Sequence, residues 1–195
     1  MRLQTVGEAH SRVAKVFQRV ARLVFGHEMD GVAKVAMHRP ELFGRPFLAL
    51  VHDVLREPSF WTAAEREYMA AFTSRQNECP FCARVHGETT RVESGWRLDP
   101  ESHAGIRPEL AAVLPLLAKL SRTPEDVAPH DVDSVRAAGV PDDAIVDALH
   151  VNFVFNLVNR MANTLGWTWD SDDHVRAGAK AIHRFSYELP GFVMR

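Results

Sequence analysis

Glu67-Tyr68-Met69-Ala70-Ala71-Phe72-Thr73-Ser74-Arg75-Gln76-Asn77-Glu78-Cys79-Pro80-Phe81-Cys82-Ala83-Arg84-Val85-His86 reads as the end of one helix, a turn and the start of another. Just upstream, Thr62 and Glu65 form a capping-box pattern, in which each side chain can satisfy a free backbone N–H at the first helix start. Ser74 to Glu78 is the turn. Cys79-Pro80 then suits an N-cap followed by proline at the first helical position, where the missing N–H is an orphan anyway. Gly95 suits the stop of this second helix.

Helical periodicity continues on both sides. Val13, Val16, Phe17, Val20, Ala21 and Val24 recur at spacings of three and four and predict a first helix with an apolar stripe. Another begins near Pro40 and carries Phe43, Phe47, Leu50, Val51 and Val54 inward. Pro108 opens a helix with Leu110, Val113, Leu114, Leu117 and Leu120 as its stripe, which Pro115 is expected to kink or interrupt. Asp131 can cap a short helix ending at Gly139, Pro141-Asp142-Asp143 starts a long one closed by Gly166, and Asp170 to Asp173 caps the last. No alternating strand of useful length interrupts this pattern, so the expected fold is all-α.

Arg39-Pro40-Glu41-Leu42 recurs 68 residues later as Arg107-Pro108-Glu109-Leu110, each ahead of a leucine- or phenylalanine-rich helix. This echo predicts one domain over 1–195 with two weakly related helical halves. Residues 1–37 form an N-terminal helix extension, 38–100 the half carrying the cysteines, and 101–195 the second half with the C-terminal helix.

The 195 residues, 46% hydrophobic and 25% charged, are enough for a substantial core. With 23 basic against 25 acidic residues, a net charge of -2 and no long block of either sign, neither a nucleic-acid nor a membrane partner is expected. Met1 to Glu8 lack the apolar run of a secretory signal, and no apolar stretch approaches the roughly 18 residues that cross a bilayer. A cytoplasmic location is therefore expected, and there a merely structural pair of cysteines would stay reduced.

The 2 cysteines, Cys79 and Cys82, thus point to reactivity or metal binding. At a helix N-terminus, unpaired backbone N–H groups and the positive end of the dipole favour a thiolate, which activates Cys79 and also Cys82 one turn in. His86 lies four residues beyond Cys82, on the same helix face, where an imidazole can take a thiol proton and return it. A short turn folds the preceding helix back, so that Glu67 meets the same pocket and holds the imidazole or relays a proton to it.

That reading is a Glu-to-His-to-Cys relay with a second cysteine ready to close a disulfide. Other readings stay open. The same disulfide could switch a non-enzymatic oligomeric binding or redox-sensing protein. Cys79, Cys82, His86 and Glu67 could instead surround zinc, although no second ligand pair from a separate segment is evident. No cofactor is expected.

Glutamate, eleven residues, cysteine, two residues, cysteine, three residues and histidine together resemble the signature of the AhpD-like alkylhydroperoxidase family, within the carboxymuconolactone decarboxylase-like superfamily. Ser74, Asn77 and Phe81 fit the family's run around the cysteines. Gly139-Val140-Pro141-Asp142-Asp143-Ala144-Ile145 and Phe155-Asn156-Leu157-Val158-Asn159-Arg160-Met161-Ala162-Asn163-Thr164-Leu165-Gly166 are similar to segments of the peroxidase-related branch, so the resemblance covers residues 38 to 166.

It implies an AhpD-like all-helical fold with related halves and a homo-oligomer, whether dimer, trimer or hexamer. It also implies a thiol peroxidase that reduces hydroperoxides and is regenerated by a thiol or lipoyl-type donor. Carried over by position, Cys82 is the peroxidatic thiol, Cys79 the resolving partner, His86 the general base and Glu67 the relay acid. Phe81 stands where some members carry a second histidine, so no relay through that position is implied. Carboxymuconolactone decarboxylases lack the paired-cysteine logic, which disfavours decarboxylation.

Asn152, Asn156, Asn159 and Asn163 line one face of the long helix. Four amides on one side of an apolar helix can line a ligand pocket or close hydrogen bonds, and the second is the commoner use. His103, His130, His150, His174 and His183 follow no ligand spacing, and Trp167 and Trp169 suit packing or an interface.

Overall fold

A computed structural model of the chain describes residues 2–7 and 11–194, with the backbone alone for Val24, Phe25, Val193 and Met194. Among these residues there are nine α-helices and no strand, only an isolated bridge between Asp99 and Ala104. In chain order they are α1 (Arg12–Phe25), α2 (Gly31–His38), α3 (Arg45–Arg56), α4 (Ala63–Gln76), α5 (Pro80–Glu93), α6 (Pro108–Arg122), α7 (Pro129–Ala137), α8 (Asp142–Leu165) and α9 (Asp172–Phe185). The all-α expectation holds, and no helix is long and apolar enough to cross a membrane among the described residues.

The antiparallel pair α4 and α5 sits at the centre, with α6 and α8 against α4 and α9 against α5. Sequence chemistry sets its geometry. Thr62 Oγ1 accepts from Glu65 N at 3.2 Å while Glu65 Oε2 accepts from Thr62 N at 2.9 Å, so the capping box forms as read. Tyr68, Met69, Ala70 and Ala71 are all fully buried, because α4 is wrapped on every side rather than on one face. The α4–α5 turn is closed by Cys79 N donating to Ser74 O at 2.9 Å, and Glu78 takes a left-handed φ of 50° to reverse the chain.

Long-range anchors lock the bundle. Trp61, 1% exposed, donates from Nε1 to Ala144 O at the start of α8 at 2.7 Å. Leu110, Val113 and Leu117 of α6 are fully buried in the same core. Gly166 ends α8 in the left-handed conformation, with φ 65°, that a glycine C-cap provides.

Four local expectations are corrected. Val13, Val16 and Val20 do not face inward; they are half or more exposed, and Ala14, Phe17 and Ala21 are the residues turned to the protein. Ala14 joins a buried cluster with Ala33, Ala36, Met37 and Leu48, and Phe17 packs against it. Leu50 is likewise exposed, at 40%. Pro40 opens a π-helical turn, Pro40–Gly44, ahead of α3 rather than α3 itself.

Pro115 leaves α6 unbroken, because it lies on the exposed side where the carbonyl it frees at Ala111 faces solvent. The short α2 has a signal in Asp30, whose carboxylate accepts from Ala33 N at 2.8 Å as an N-cap.

Candidate active site

Cys79 is the N-cap of α5 and Pro80 its first residue, so the first amides able to donate to an N-cap side chain belong to Phe81 and Cys82. Both cysteines are reduced, and each is 1% exposed. The neighbouring Cys82 thiol draws the Cys79 pKa down to about 7 against the cost of burial. The backbone N–H groups of Cys82 and Phe81 and the Asn159 side chain act in the same direction. Cys82 moves well up from the ordinary thiol value, because of the adjoining Cys79 thiol, its burial, and repulsion from charge on Cys79.

One turn further along α5, His86 Nδ1 meets Glu67 Oε2 of α4 at 2.7 Å in the interior. The expected Glu67–His86 contact is present. Cys82 adjoins His86 only through their shared helix face.

Two residues that the sequence reading missed complete the pocket. Arg56 Nη2, at the end of α3, reaches Glu67 Oε1 at 2.6 Å, and Tyr187 Oη donates to the same oxygen at 2.5 Å. Neither has a local signature, since one lies 11 and the other 120 residues from Glu67 in the chain. Burial opposes charge on Glu67, but hydrogen bonding and attraction from His86, then Arg56 and Tyr187, hold its pKa at about 2. Burial and the Glu67 charge push the Tyr187 phenol well up, so it remains a donor.

Ser186 and Tyr187 occupy left-handed backbone, with φ of 48° and 68°, a costly conformation for residues with a Cβ. Ser186 O is held by His52 Nδ1 at 2.9 Å. The chain after α9 is thereby bent so that the phenol enters beside His86, whose ring it overlies at 6.4 Å between centroids.

Phe81 packs rather than relays: its ring stacks on Trp169 at 4.5 Å and 3°, and its carbonyl accepts from Trp169 Nε1 at 2.8 Å. Trp167 meets the same ring edge-on at 5.5 Å. Both tryptophans are therefore packing anchors within this chain.

The asparagine stripe closes hydrogen bonds between α8 and the α4–α5 turn. Asn152 Nδ2 donates to Leu117 O and Thr73 Oγ1, each at 3.2 Å, and Asn163 Nδ2 to Asn77 O at 3.1 Å. Asn159, fully buried, donates to Ser74 Oγ at 3.0 Å and accepts from Asn77 Nδ2 at 3.0 Å. Asn156 bonds to Asn152 and Ser121. No group of three or more His, Cys, Asp and Glu able to hold a metal occurs among the described residues, and both Glu67 oxygens already carry donors.

No family model and no curated protein matches this sequence. Solved structures do. An uncharacterized peroxidase-related protein from Silicibacter sp. TM1040 superposes with a TM-score of 0.73 at 22% identity, over 90% of this chain and 95% of that one. An uncharacterized peroxidase-related protein from Ralstonia eutropha JMP134, described as an alkylhydroperoxidase AhpD core, gives 0.70 at 25% identity, over 86% and 90%. The fold is AhpD-like. Within this AhpD-like frame the cysteine pair, His86 and Glu67 all come from the central α4–α5 pair, and Tyr187 enters from the chain that follows α9.

Proposed function

We propose that the protein is a dithiol oxidoreductase that reduces hydroperoxides, with Cys79 and Cys82 as the redox pair and Glu67 and His86 managing protons. The observation that carries this reading is the buried 2.7 Å Glu67–His86 hydrogen bond, about one helical turn from Cys82 and two from Cys79, both reduced and the latter drawn toward neutral ionisation. One sulfur attacks a peroxide oxygen and becomes a sulfenic acid, and the other displaces water from it to leave a disulfide. The resemblance gives the attack to Cys82, while the Cys79 thiol is drawn below and the Cys82 thiol pushed above the ordinary value.

Glu67 keeps its charge near neutral pH, so in this reading it anchors and orients His86 rather than shuttling a proton itself. A dithiol of lipoyl type would reopen the disulfide. Assembly as a homo-oligomer and a cytoplasmic setting belong to the same reading, as do the descriptions of the two solved proteins as peroxidase-related.

The test is hydroperoxide consumption by the reduced protein with a dithiol donor, beside Cys79→Ser and Cys82→Ser, with thiols counted before and after. Sustained turnover that both variants lose, with both thiols consumed per chain, supports the peroxidase. Reversible loss of both thiols without turnover overturns it in favour of a redox sensor.

A further inference from the structure

Two rows of side chains on α1 are not used by the core. Val13, Val16, Val20 and Leu23 follow one another at spacings of three, four and three, which sets them on one helix face. They are 53%, 58%, 50% and 84% exposed, an unpartnered apolar strip. Arg12, Lys15, Arg19 and Arg22 repeat the same spacing one residue earlier, so each cation directly precedes an exposed apolar residue, and all four are exposed. The protein claims the opposite side of the helix, where Ala14 and Ala21 are buried and Phe17 packs inward. At about 100° per residue, the midpoint of the two rows points directly away from that buried side.

The cations have little negative charge to answer them. No acidic residue lies within α1. Arg22 Nη1 reaches Glu28 Oε1 at 3.4 Å, while the other oxygen of that carboxylate holds Lys34 Nζ at 2.6 Å. Arg12, Lys15 and Arg19 have no ion-pair partner among the described residues. Residues 1–25 hold 5 basic residues against 1 acidic, and the remaining 170 hold 18 against 24. A net charge of -2 thus conceals a positive helix on a negative body, and the cations form no block because apolar residues separate them.

We propose that α1 docks on an anionic lipid surface, with Val13, Val16, Val20 and Leu23 entering the headgroup boundary and the four cations meeting the lipid phosphates. A bilayer interface is anionic at its surface and apolar beneath, which matches the two rows together. The long stems of the cations let their charges stay at headgroup level while the apolar row enters. Phe192, 57% exposed and edge-on against Phe17 at 5.9 Å, widens the apolar strip. A nucleic acid would answer the cations but leave that strip in water. A second copy laid α1 on α1 would set one row of cations against another with no acid between them. With 14 residues α1 lies on the surface and does not cross it, and repulsion of the acidic body orients the chain with α1 toward the lipid.

Co-sedimentation of the full chain with vesicles tests this without any peroxide, so its result is independent of the dithiol reading. Binding should appear on vesicles of equal parts phosphatidylcholine and phosphatidylserine, be absent on phosphatidylcholine alone, and weaken steeply as salt is raised. Lys15→Gln with Arg19→Gln should lower partitioning about thirtyfold, at roughly fivefold per cation. Val16→Gln with Leu23→Gln should lower it by at least about tenfold while helix content by circular dichroism is unchanged, because both side chains are exposed.

The lipid and salt series use the wild type, so they decide the matter even if a variant does not fold. No binding to the anionic vesicles, equal binding to neutral ones, or binding that the double glutamine variant of Lys15 and Arg19 retains in full overturns the proposal. So does a wild-type oligomer that binds no vesicles and that Val16→Gln with Leu23→Gln splits into monomers, since a second copy then covers the strip.

Discussion

Tyr187 Oη donates a 2.5 Å hydrogen bond to Glu67 Oε1, across 120 residues of chain. On the other carboxylate oxygen sits His86 Nδ1, at 2.7 Å. The phenol thus adds a donor to the group that holds the imidazole, after His86 and Arg56 in keeping it charged.

Tyr187→Phe removes that donor and keeps the ring beneath Arg56, whose guanidinium lies 5.0 Å from its centroid. One hydrogen bond to a charged group is worth about 1.5–3 kcal/mol, part of which the remaining donors recover. Hydroperoxide turnover should fall by about tenfold at neutral pH, with its acid limb shifted upward. An unchanged pH–rate profile would show that Tyr187 only packs.

Glu67 also predicts how the fold answers to acid. Its pKa falls from 4.5 to about 2 on folding, so the folded state favours the charged carboxylate. This stabilisation is complete above 4.5 and is lost as pH falls toward 2. Circular dichroism of the wild type should show a stability loss in that window, and Glu67→Gln, less stable at neutral pH, should show a flatter acid profile.

Arg56 is 10% exposed in its side chain and Glu67 is wholly enclosed, so removing the guanidinium leaves a buried anion without its arginine partner. Arg56→Ala should cost about 3 kcal/mol in a urea melt. Arg56→Lys should recover part of it, because an ammonium keeps the charge but lacks the fork whose Nη2 meets Glu67 and Glu93 while Nη1 donates to Leu55 O.

Gly31 opens α2 with its Cα against the Trp167 ring, and a Cβ there would fall 2.3 Å from Cδ2. Gly31→Ala should therefore destabilise by about 1–3 kcal/mol, seen as a lowered thermal midpoint. Because Trp167 abuts Phe81 between the cysteines, the same substitution should also slow disulfide closure.

Trp169 stacks on Phe81 and donates to its carbonyl, so it senses the start of α5 directly. Intrinsic fluorescence should change when the pair is oxidised. Trp169→Phe should lose most of that change, although Trp61, Trp96 and Trp167 remain.

What was legible in the sequence follows from the range of the forces involved. The Thr62–Glu65 box, the Cys79-Pro80 start and the Gly166 stop are local devices whose partners lie within a turn, and each forms as read. Glu67, Cys79, Cys82 and His86 were legible because one helix and its hairpin neighbour supply them all. Arg56 and Tyr187 were not, because only tertiary packing brings them to Glu67. The spacing of Asn152 to Asn163 marked a polar face on α8, but the partners that Asn159 meets, Asn77 and Ser74, come from another part of the chain that only packing brings near. In α1 the periodic valines stand out in the sequence, whereas the buried cluster with Ala33, Ala36, Met37 and Leu48 takes Ala14.

The order of these parts along the chain bears on synthesis. A nascent polypeptide emerges from the ribosome N-terminus first, so the thiols, the imidazole and the Asn159 amide are all made before the phenol that completes the Glu67 shell. An incomplete translation product would carry the dithiol with its proton apparatus unfinished. The Glu67 shell therefore closes only after the residues that follow α9 have been made.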